Sequence, residues 1–268
     1  MDTYAAQLAN TFLGKEADAA VIEMHFPAAT ILFEEETVIC IAGADMMPAI
    51  NENAIPLNQP VRINKNDVLS FRGLRVGARC YLSVLHGLKI DKWLGCYSTN
   101  ILAEAGGFLG RALTKNDVIE FDKASVAISE FFQKLDMSTN SLRFIRGCEY
   151  SWLEIDSQKN LERNNYSITK NSNRMGYRLE GDPLLRNNSD ELISSPVTFG
   201  TIQLLPVGQL IILMADHQTT GGYPRIGTVI SADLPLLAQK KAGDTIRFVE
   251  TDIINAEKLY IEQRKNLS

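Results

Sequence analysis

GTIQLLPVGQLIILMADHQTTGGYPRIGTVISAD, residues 200–233, decides the fold class. LIILMAD is apolar at almost every position, the look of a strand buried on both faces. The PVG at 206–208 is a hairpin turn between two such strands. If the second strand persists through 218, alternation puts Met214, Asp216 and Gln218 on one face and Ala215 and His217 on the other. Asp216 and His217 are then not a contacting acid–base pair, and the face with Asp216 and Gln218 is the better polar wall. Beyond it, Gly221 and Gly222 allow positive φ and close approach of a ligand to the backbone. Successive N–H groups in such a turn can form an anion-binding concavity, to which Thr219 and Thr220 add hydroxyls. Tyr223 offers a planar face and a phenol, Pro224 limits mobility, and Arg225 could clamp a carboxylate or phosphate. On residue types alone, a tight turn whose Asp and Thr satisfy its own backbone is an equal alternative.

Outward from this stretch the pattern stays β. TILF (30–33), TVICIA (37–42), DVLSF (67–71), RCYLSVLHG (79–87), SLRFIRG, GYRLEG, GTVISAD and GDTIRFVE are short and rich in β-branched or aromatic residues, with Gly, Asn, Asp and Pro between them. KNDVLSF (65–71) and KNDVIEF (115–121) repeat one another, and AGDTIRF (242–248) is a looser third copy. These read as a polar turn feeding a strand; duplication of a β unit is the other reading. Helices are expected near residues 4–13, ended by Gly14, at DLPLLAQ (233–239) with Asp233 as N-cap and Pro235 in the first turn, and at NAEKLYIEQRKN near the end. KASVAISEFFQKLD (123–136) reads as a helix or an extended connector. The chain is therefore mainly β with a few short helices, in two halves that meet near 122–141. Regular βαβ units are lacking, which excludes a Rossmann sheet, and GRALTKND lacks Walker spacing.

Two further constellations carry polar groups. NSNRMGYRLEG (171–181) gathers Asn173, Arg174, Tyr177 and Arg178 around Gly176, and equally describes a loop entering a strand with solvated arginines. AEAGGFLGR (103–111) joins three glycines to Arg111, a weaker anion-binding signal. His25 and His86 stand at strand ends and read as hydrogen-bonded edge residues; Trp93 and Trp152 read as packing anchors.

The totals narrow the function. The 268 residues carry a net charge of −5, 45% hydrophobic and 22% charged residues. That balance is ordinary for a soluble domain or two and argues against a nucleic-acid groove. No apolar run approaches the ~18 residues of a membrane span, and the start has no basic region ahead of an apolar core, so no signal peptide is expected. Four scattered cysteines without a CxxC pair, and three histidines that do not cluster, point to reduced thiols in the cytoplasm and to no metal site.

LMADHQTTGGYPRIGTVISADLPLLAQKKAGDTIRF (213–248), SNRMGYRL (172–179), LGCYSTN followed by GGFLGR (94–111) and LANTFLG (8–14) closely resemble sequences of the biotin-dependent carboxyltransferase-like family. That family includes the C subunit of 5-oxoprolinase, Kip-type antagonists, proteins labelled allophanate hydrolase subunit 2, and the carboxyltransferase part of urea amidolyase. The resemblance implies two cyclophilin-like β-barrel domains, 1–124 and 141–268, joined by a connector at 125–140. Relatives open with a further segment before the Met-Asp at which this chain starts, so either the start is assigned late or an opening strand of the first domain is absent. The function implied is opening of the lactam of 5-oxo-L-proline to L-glutamate, by an ATP-dependent 5-oxoprolinase complex. The partners implied are the A and B subunits of that complex, of which B is a Kip-type inhibitor homologue. ATP is used by the complex and not held by a Walker motif in this chain. Two alternatives go with the family: biotin-dependent carboxyl transfer to urea or a similar amide, with biotin supplied by other proteins, and a non-catalytic regulator that binds a Kip-type inhibitor. An inert lactam needs donors aimed at its oxygen. The residues implied are Thr219, Thr220, Gly221 and Gly222 at that oxygen or a phosphate, and Arg225, Arg174 or Arg178 at the substrate carboxylate. Asp216 is assigned proton transfer or orientation of a water, with Gln218 and Tyr223 positioning, and Asn173 and Tyr177 complete the substrate-binding set.

Overall fold

A computed structural model describes residues 1–122, 137–265 and 267; the connector expected at 125–140 and the helix or extended segment expected at 123–136 lie largely or wholly outside them. The chain divides into two units, Asp2–Leu135 with Leu267–Ser268, and Asp136–Asn266 with Met1.

The first unit starts with α1 (Thr3–Thr11), whose N-terminus is capped by the Asp2 carboxylate accepting from the Ala5 N–H at 2.8 Å. Gly14, at φ +65°, follows its end. Eight strands follow: β1 (Ile22–His25), β2 (Ile31–Leu32), β3 (Thr37–Asp45), β4 (Pro48–Ile50), β5 (Asn53–Ala54), β6 (Val61–Ile63), β7 (Val68–Phe71) and β8 (Val76–Val84). They pair into two four-stranded sheets, β1-β8-β3-β6 and β2-β7-β4-β5. Strand alternation explains why β3 and β8 are apolar throughout. Ile39, Ile41, Cys80, Leu82 and Val84 join a core with Phe33, Met46 and Leu69, while Cys40, Ala42, Tyr81 and Leu85 pack under Leu8 and Phe12 of α1. The Lys15 ammonium crosses to β8, donating to Ser83 Oγ at 3.0 Å and Val84 O at 2.8 Å, and Ser83 Oγ lies 2.6 Å from Asn10 Oδ1. Among the described residues no carboxylate pairs with Lys15, and burial lowers its pKa to about 8.

The second unit contains β9 (Ser141–Arg146), α2 (Ile155–Arg163), β10 (Tyr166–Ile168), β11 (Gly176–Glu180), β12 (Ser195–Pro196), β13 (Thr201–Leu204), β14 (Leu210–Leu213), β15 (Thr220–Gly221), β16 (Arg225–Val229), α3 (Leu234–Ala238), β17 (Thr245–Glu250) and α4 (Ile253–Lys265). Seven of the strands close a barrel in the order β10-β11-β14-β13-β16-β9-β17. All of its pairs are antiparallel except β9 with β17. Alternate residues point inward: Leu142 and Phe144, Tyr166 and Ile168, Tyr177 and Leu179, Ile202 and Leu204, Leu210 and Ile212, Ile246 and Phe248. Each fully buried Leu, Ile or Phe among these contributes about 1.5–3 kcal/mol. The hairpin at 206–208 is present, with Gly208 at φ +81° and its N–H bonded to Leu205 O.

The mainly-β class is therefore what the chain adopts, with the closed barrel in the second unit and two sheets about one core in the first. The three turn copies share one device. Asn66, Asn116 and Gly243 have φ of 69°, 72° and 90°. The carboxylate that follows each, Asp67, Asp117 or Asp244, accepts the N–H of the residue three before it at 2.7, 2.7 and 2.9 Å. Asp233 departs from expectation. It does not cap α3 but is buried, taking the Arg143 backbone N–H at 2.7 Å and its guanidinium. The ion pair outcompetes the cap because a buried carboxylate needs a charged partner. His86 is a second departure, with a buried Nε2 that has no hydrogen-bond partner among the described residues.

Candidate functional site

The strand that carries the 213–227 stretch stops sooner than its apolar run suggests. β14 ends at Leu213, paired with Gly176, and Met214 to His217 form a turn closed by His217 N–H to Met214 O at 3.1 Å. The alternation proposed for 214–218 therefore does not apply: Met214 is core, and its apolar side chain extended the pattern past the real end of the strand. Asp216 is positioned by a partner loop instead. Its N–H donates to Arg174 O at 2.8 Å, and its carboxylate accepts from Arg174 Nε at 2.8 Å and Nη2 at 3.2 Å. The constellations at 171–181 and 213–227 thus meet in one place. Asn173 shapes the approach, its Oδ1 accepting the Met175 N–H at 2.8 Å. His217 turns away, its Nδ1 against Gln218 O.

Past this ion pair the chain stays at the surface. Gln218, Thr219, Thr220 and Gly222 are exposed, and Tyr223 is 43% exposed. Among the described residues, the hydroxyls of Thr219 and Thr220 have no hydrogen-bond partner. Thr220 and Gly221 pair with β12, forming a two-stranded flap with Val197 N–H on Thr219 O at 3.1 Å. Beneath it lies Gln203, 1% exposed. A Cβ at Gly221 would come within 2.6 Å of Gln203 Nε2, the far end of that side chain, so the Gln203 amide would have to shift to admit one.

Arg225, expected as a substrate clamp, is engaged by a carboxylate within the protein. Gln203 pairs with Arg225 and Ile202 with Gly227, leaving Ile226 as an extra residue on β16. This bulge aims Arg225 at Glu149. Glu149, 6% exposed, accepts from Arg225 N at 3.0 Å, Nε at 2.9 Å and Nη2 at 2.8 Å, while Nη1 reaches Pro196 O of the flap at 3.3 Å. The Arg225 guanidinium holds the Glu149 carboxyl below its ordinary pKa, against the opposing effect of burial. Tyr177 also leaves the binding set: it is 3% exposed inside the barrel, its hydroxyl donating to Lys240 O at 3.1 Å. Arg178, one position on, faces outward from β11 and makes no ion pair among the described residues.

Two residues of this site were not singled out from the sequence. Gln203 had a signal, as a polar residue in an apolar strand. Glu149 had none, since its partner lies 76 positions away.

The glycine turn at 103–111 is built for its own packing. Arg111 is bound to Asp117 through Nη1 at 2.7 Å and Nη2 at 2.8 Å, and Thr99 Oγ1 presses against Gly107. Among the described residues, carboxylates stand at the N-termini of three helices: Asp2 caps α1, Glu154 precedes α2, and Asp252 accepts the Asn255 N–H at the start of α4. A carboxylate there disfavours a phosphate at the same helix end. Among the described residues no three His, Cys, Asp or Glu side chains gather as metal ligands, and no helix is long and apolar enough to cross a membrane. The cysteines are free: Cys40 and Cys80 are buried, with pKa raised to about 12 by burial, and Cys96 and Cys148 are exposed.

Comparison with known proteins agrees with this architecture. The family model "Carboxyltransferase domain, subdomain A and B" matches residues 1–250. The 5-oxoprolinase C subunit of Haemophilus influenzae is 33% identical over 99% of this chain and 85% of its own length. The protein of the same name from Escherichia coli K12 is 32% identical over 99% and 86%. The crystal structure of K. lactis urea amidolyase superposes with a TM-score of 0.91 at 26% identity, over all of this chain but only 18% of that one. This chain thus corresponds to one part of the amidolyase and to most of each bacterial relative. With a family model that spans nearly its whole length and bacterial relatives at a third identity, the chain belongs to the carboxyltransferase-domain family, as its subdomains A and B.

Proposed function

We propose that this protein is the C subunit of an ATP-dependent 5-oxoprolinase, working in the cytoplasm with the A and B subunits to open 5-oxo-L-proline to L-glutamate. The observation that carries the reading is its 33% identity to a 5-oxoprolinase C subunit over 99% of the chain. The Arg174–Asp216 pair beside exposed Gln218, Thr219 and Thr220 supplies chemistry that suits it. Asp216, its carboxylate held on the Arg174 fork, takes a proton from the attacking water or orients it. The hydroxyls of Thr219 and Thr220 and the amide of Gln218 donate to the lactam oxygen as charge develops on it. Tyr223 stacks on the ring, and Arg178 is the guanidinium left for the substrate carboxylate. The carboxylates at the helix N-termini favour a nucleotide held by one of the other subunits.

The test is reconstitution. The A and B subunits, ATP and 5-oxoproline are assayed for glutamate with and without this chain. Glutamate that appears only with the chain supports the proposal; equal release without it overturns it. The 0.91 TM-score against urea amidolyase supports a second reading, carboxyl transfer from a biotin carrier to urea or a related amide. It is tested by supplying carboxylated carrier and urea and measuring loss of the carboxyl group from the carrier.

A further inference from the structure

β13 is buried at every position, which the barrel alone does not explain. Ile202 and Leu204 belong to the barrel core, so alternation turns Thr201 and Gln203 to the outer face. Without a cover that face meets water, yet Gln203 is 1% exposed. The cover is the β12–β15 flap and the chain that runs from it into β16. Gln203 Nε2 donates to Tyr223 O at 3.5 Å, Leu204 N–H donates to Pro224 O at 3.0 Å, and a Cβ at Gly221 would lie 2.6 Å from Gln203 Nε2.

The carboxamide serves the flap and not the barrel. Among the described residues its side chain makes one hydrogen bond, the one to Tyr223 O. Its cross-strand neighbours, Ile211 and Arg225, take nothing from it: Ile211 is apolar, and the Arg225 guanidinium is committed to Glu149 and Pro196 O. Burying an amide costs free energy unless it is hydrogen-bonded, a cost that a methionine or leucine of similar volume does not carry. The missing side chain of Gly221 leaves the room that the amide occupies, and Gln218 Nε2 stands 3.5 Å from the same point. Gln203 thus lies under the stretch that carries Gln218, Thr219, Thr220 and Tyr223.

We infer that Gln203 is the positioning residue of this loop. Its carboxamide, carried on a barrel strand, sets the height of 221–223 and with it the places of the Gln218 amide and the Thr219 and Thr220 hydroxyls. Groups on an exposed loop gain precision when a rigid element supports them from below. In this arrangement Gln203 touches no substrate and acts through the donors above it. The consequence for catalysis rests on the 5-oxoprolinase reading; the hold on the loop does not.

Gln203→Met and Gln203→Leu both remove the amide and keep an apolar side chain of similar volume. Hydrogen exchange of the full chain, resolved residue by residue by NMR, reads the loop directly. In both variants the Val197 N–H, bonded to Thr219 O at 3.1 Å, should exchange about 5-fold faster. The Ile168 N–H, bonded to Asp244 O at 2.9 Å elsewhere in the unit, should keep its wild-type rate. In the reconstituted complex both variants should lower kcat for glutamate release by about 10-fold or more, with KM for 5-oxoproline within about 2-fold. A residue that only fills space predicts wild-type exchange and wild-type kcat in Gln203→Met, and that result overturns the inference. A rise in KM at unchanged kcat overturns it too, as does faster exchange at both amides, which marks general loosening. If the wild-type complex releases no glutamate, the 5-oxoprolinase reading falls and the exchange rates decide alone: faster exchange confined to Val197 upholds the role of Gln203, and equal exchange overturns it.

Discussion

Arg225 and Glu149 are joined by three hydrogen bonds, from the arginine's backbone N–H at 3.0 Å and from Nε and Nη2 at 2.9 and 2.8 Å. With Nη1 on Pro196 O, the pair ties the bulge of β16, the turn before α2 and the flap strand into one unit. Glu149→Gln keeps one acceptor and removes the charge. It should destabilise the protein by about 1–3 kcal/mol at pH 7. The folded carboxyl sits below its ordinary 4.5, so the stability it gives is fully present above that value and is lost as pH falls toward the folded one. Urea titrations of wild type and variant should therefore differ clearly at pH 7 and draw together as pH falls below 4.5. A gap that does not narrow on acidification below that value contradicts the charge-based account.

Asp216→Asn in the reconstituted complex should lower glutamate formation by at least about 10-fold. The pair with Arg174 is partly exposed, so thermal stability should change by less than about 1 kcal/mol. Arg174→Gln should reduce kcat as well, and the double variant should be no worse than the poorer single one, because the residues act as a unit. Unchanged turnover in Asp216→Asn removes it from the mechanism.

Gly221→Ala drives a methyl to within 2.6 Å of Gln203 Nε2. Because the contact is with the terminal amide of Gln203, a rotamer adjustment costing about 0.5–1.5 kcal/mol relieves it. Gln203→Ala in the same chain should recover part of that loss, giving a favourable coupling energy in a double-mutant cycle read by chemical denaturation. Additive effects show that the two residues do not touch.

Lys15, with a pKa near 8 against an ordinary 10.5, should leave its mark in alkaline solution. Between those values the unfolded chain holds a proton that the folded chain has released, so this group makes stability rise with pH across that window. Relative to Lys15→Met, the wild type should gain on the order of 1–2 kcal/mol from about pH 8 to pH 10. Acetic anhydride labelling read by mass spectrometry should modify Lys15 with a midpoint near pH 8 rather than the ordinary 10.5. A midpoint at the ordinary value refutes the shift.

Thiol reagents should separate the cysteines. Cys96, whose pKa is lowered by hydrogen bonds from Ser98, should react first, Cys148 next, and Cys40 and Cys80 only on unfolding. Native protein that titrates more than two thiols shows that the burial of Cys40 or Cys80 is wrong.

What the sequence disclosed follows from how far each interaction reaches. The Asn-Asp turns at 66–67 and 116–117 and the hairpin at 206–208 were legible because a few adjacent residues determine them. The β class was legible because short runs of β-branched and aromatic residues alternate with Gly, Asn, Asp and Pro along the chain. The end of β14 was not, since Met214 is core without being strand. The Arg174–Asp216 contact, between residues 42 positions apart, and the Arg225–Glu149 contact depend on barrel closure, and no local pattern encodes that. Tyr177 illustrates the same limit: beside two arginines in a polar loop it resembled a ligand contact, and the alternation of β11 turned it inward.

The parallel pairing of β9 with β17 has a consequence for how the chain is made. β9, at residues 141–146, takes both of its neighbours, β16 and β17, from residues 225–250. During synthesis Leu142 and Phe144 leave the ribosome roughly a hundred residues ahead of the strands that cover them. Until then both edges of β9 are bare, in a segment whose apolar side chains invite mispairing. Folding of this unit therefore waits for its last strand, and a chain interrupted anywhere before Glu250 exposes its first one.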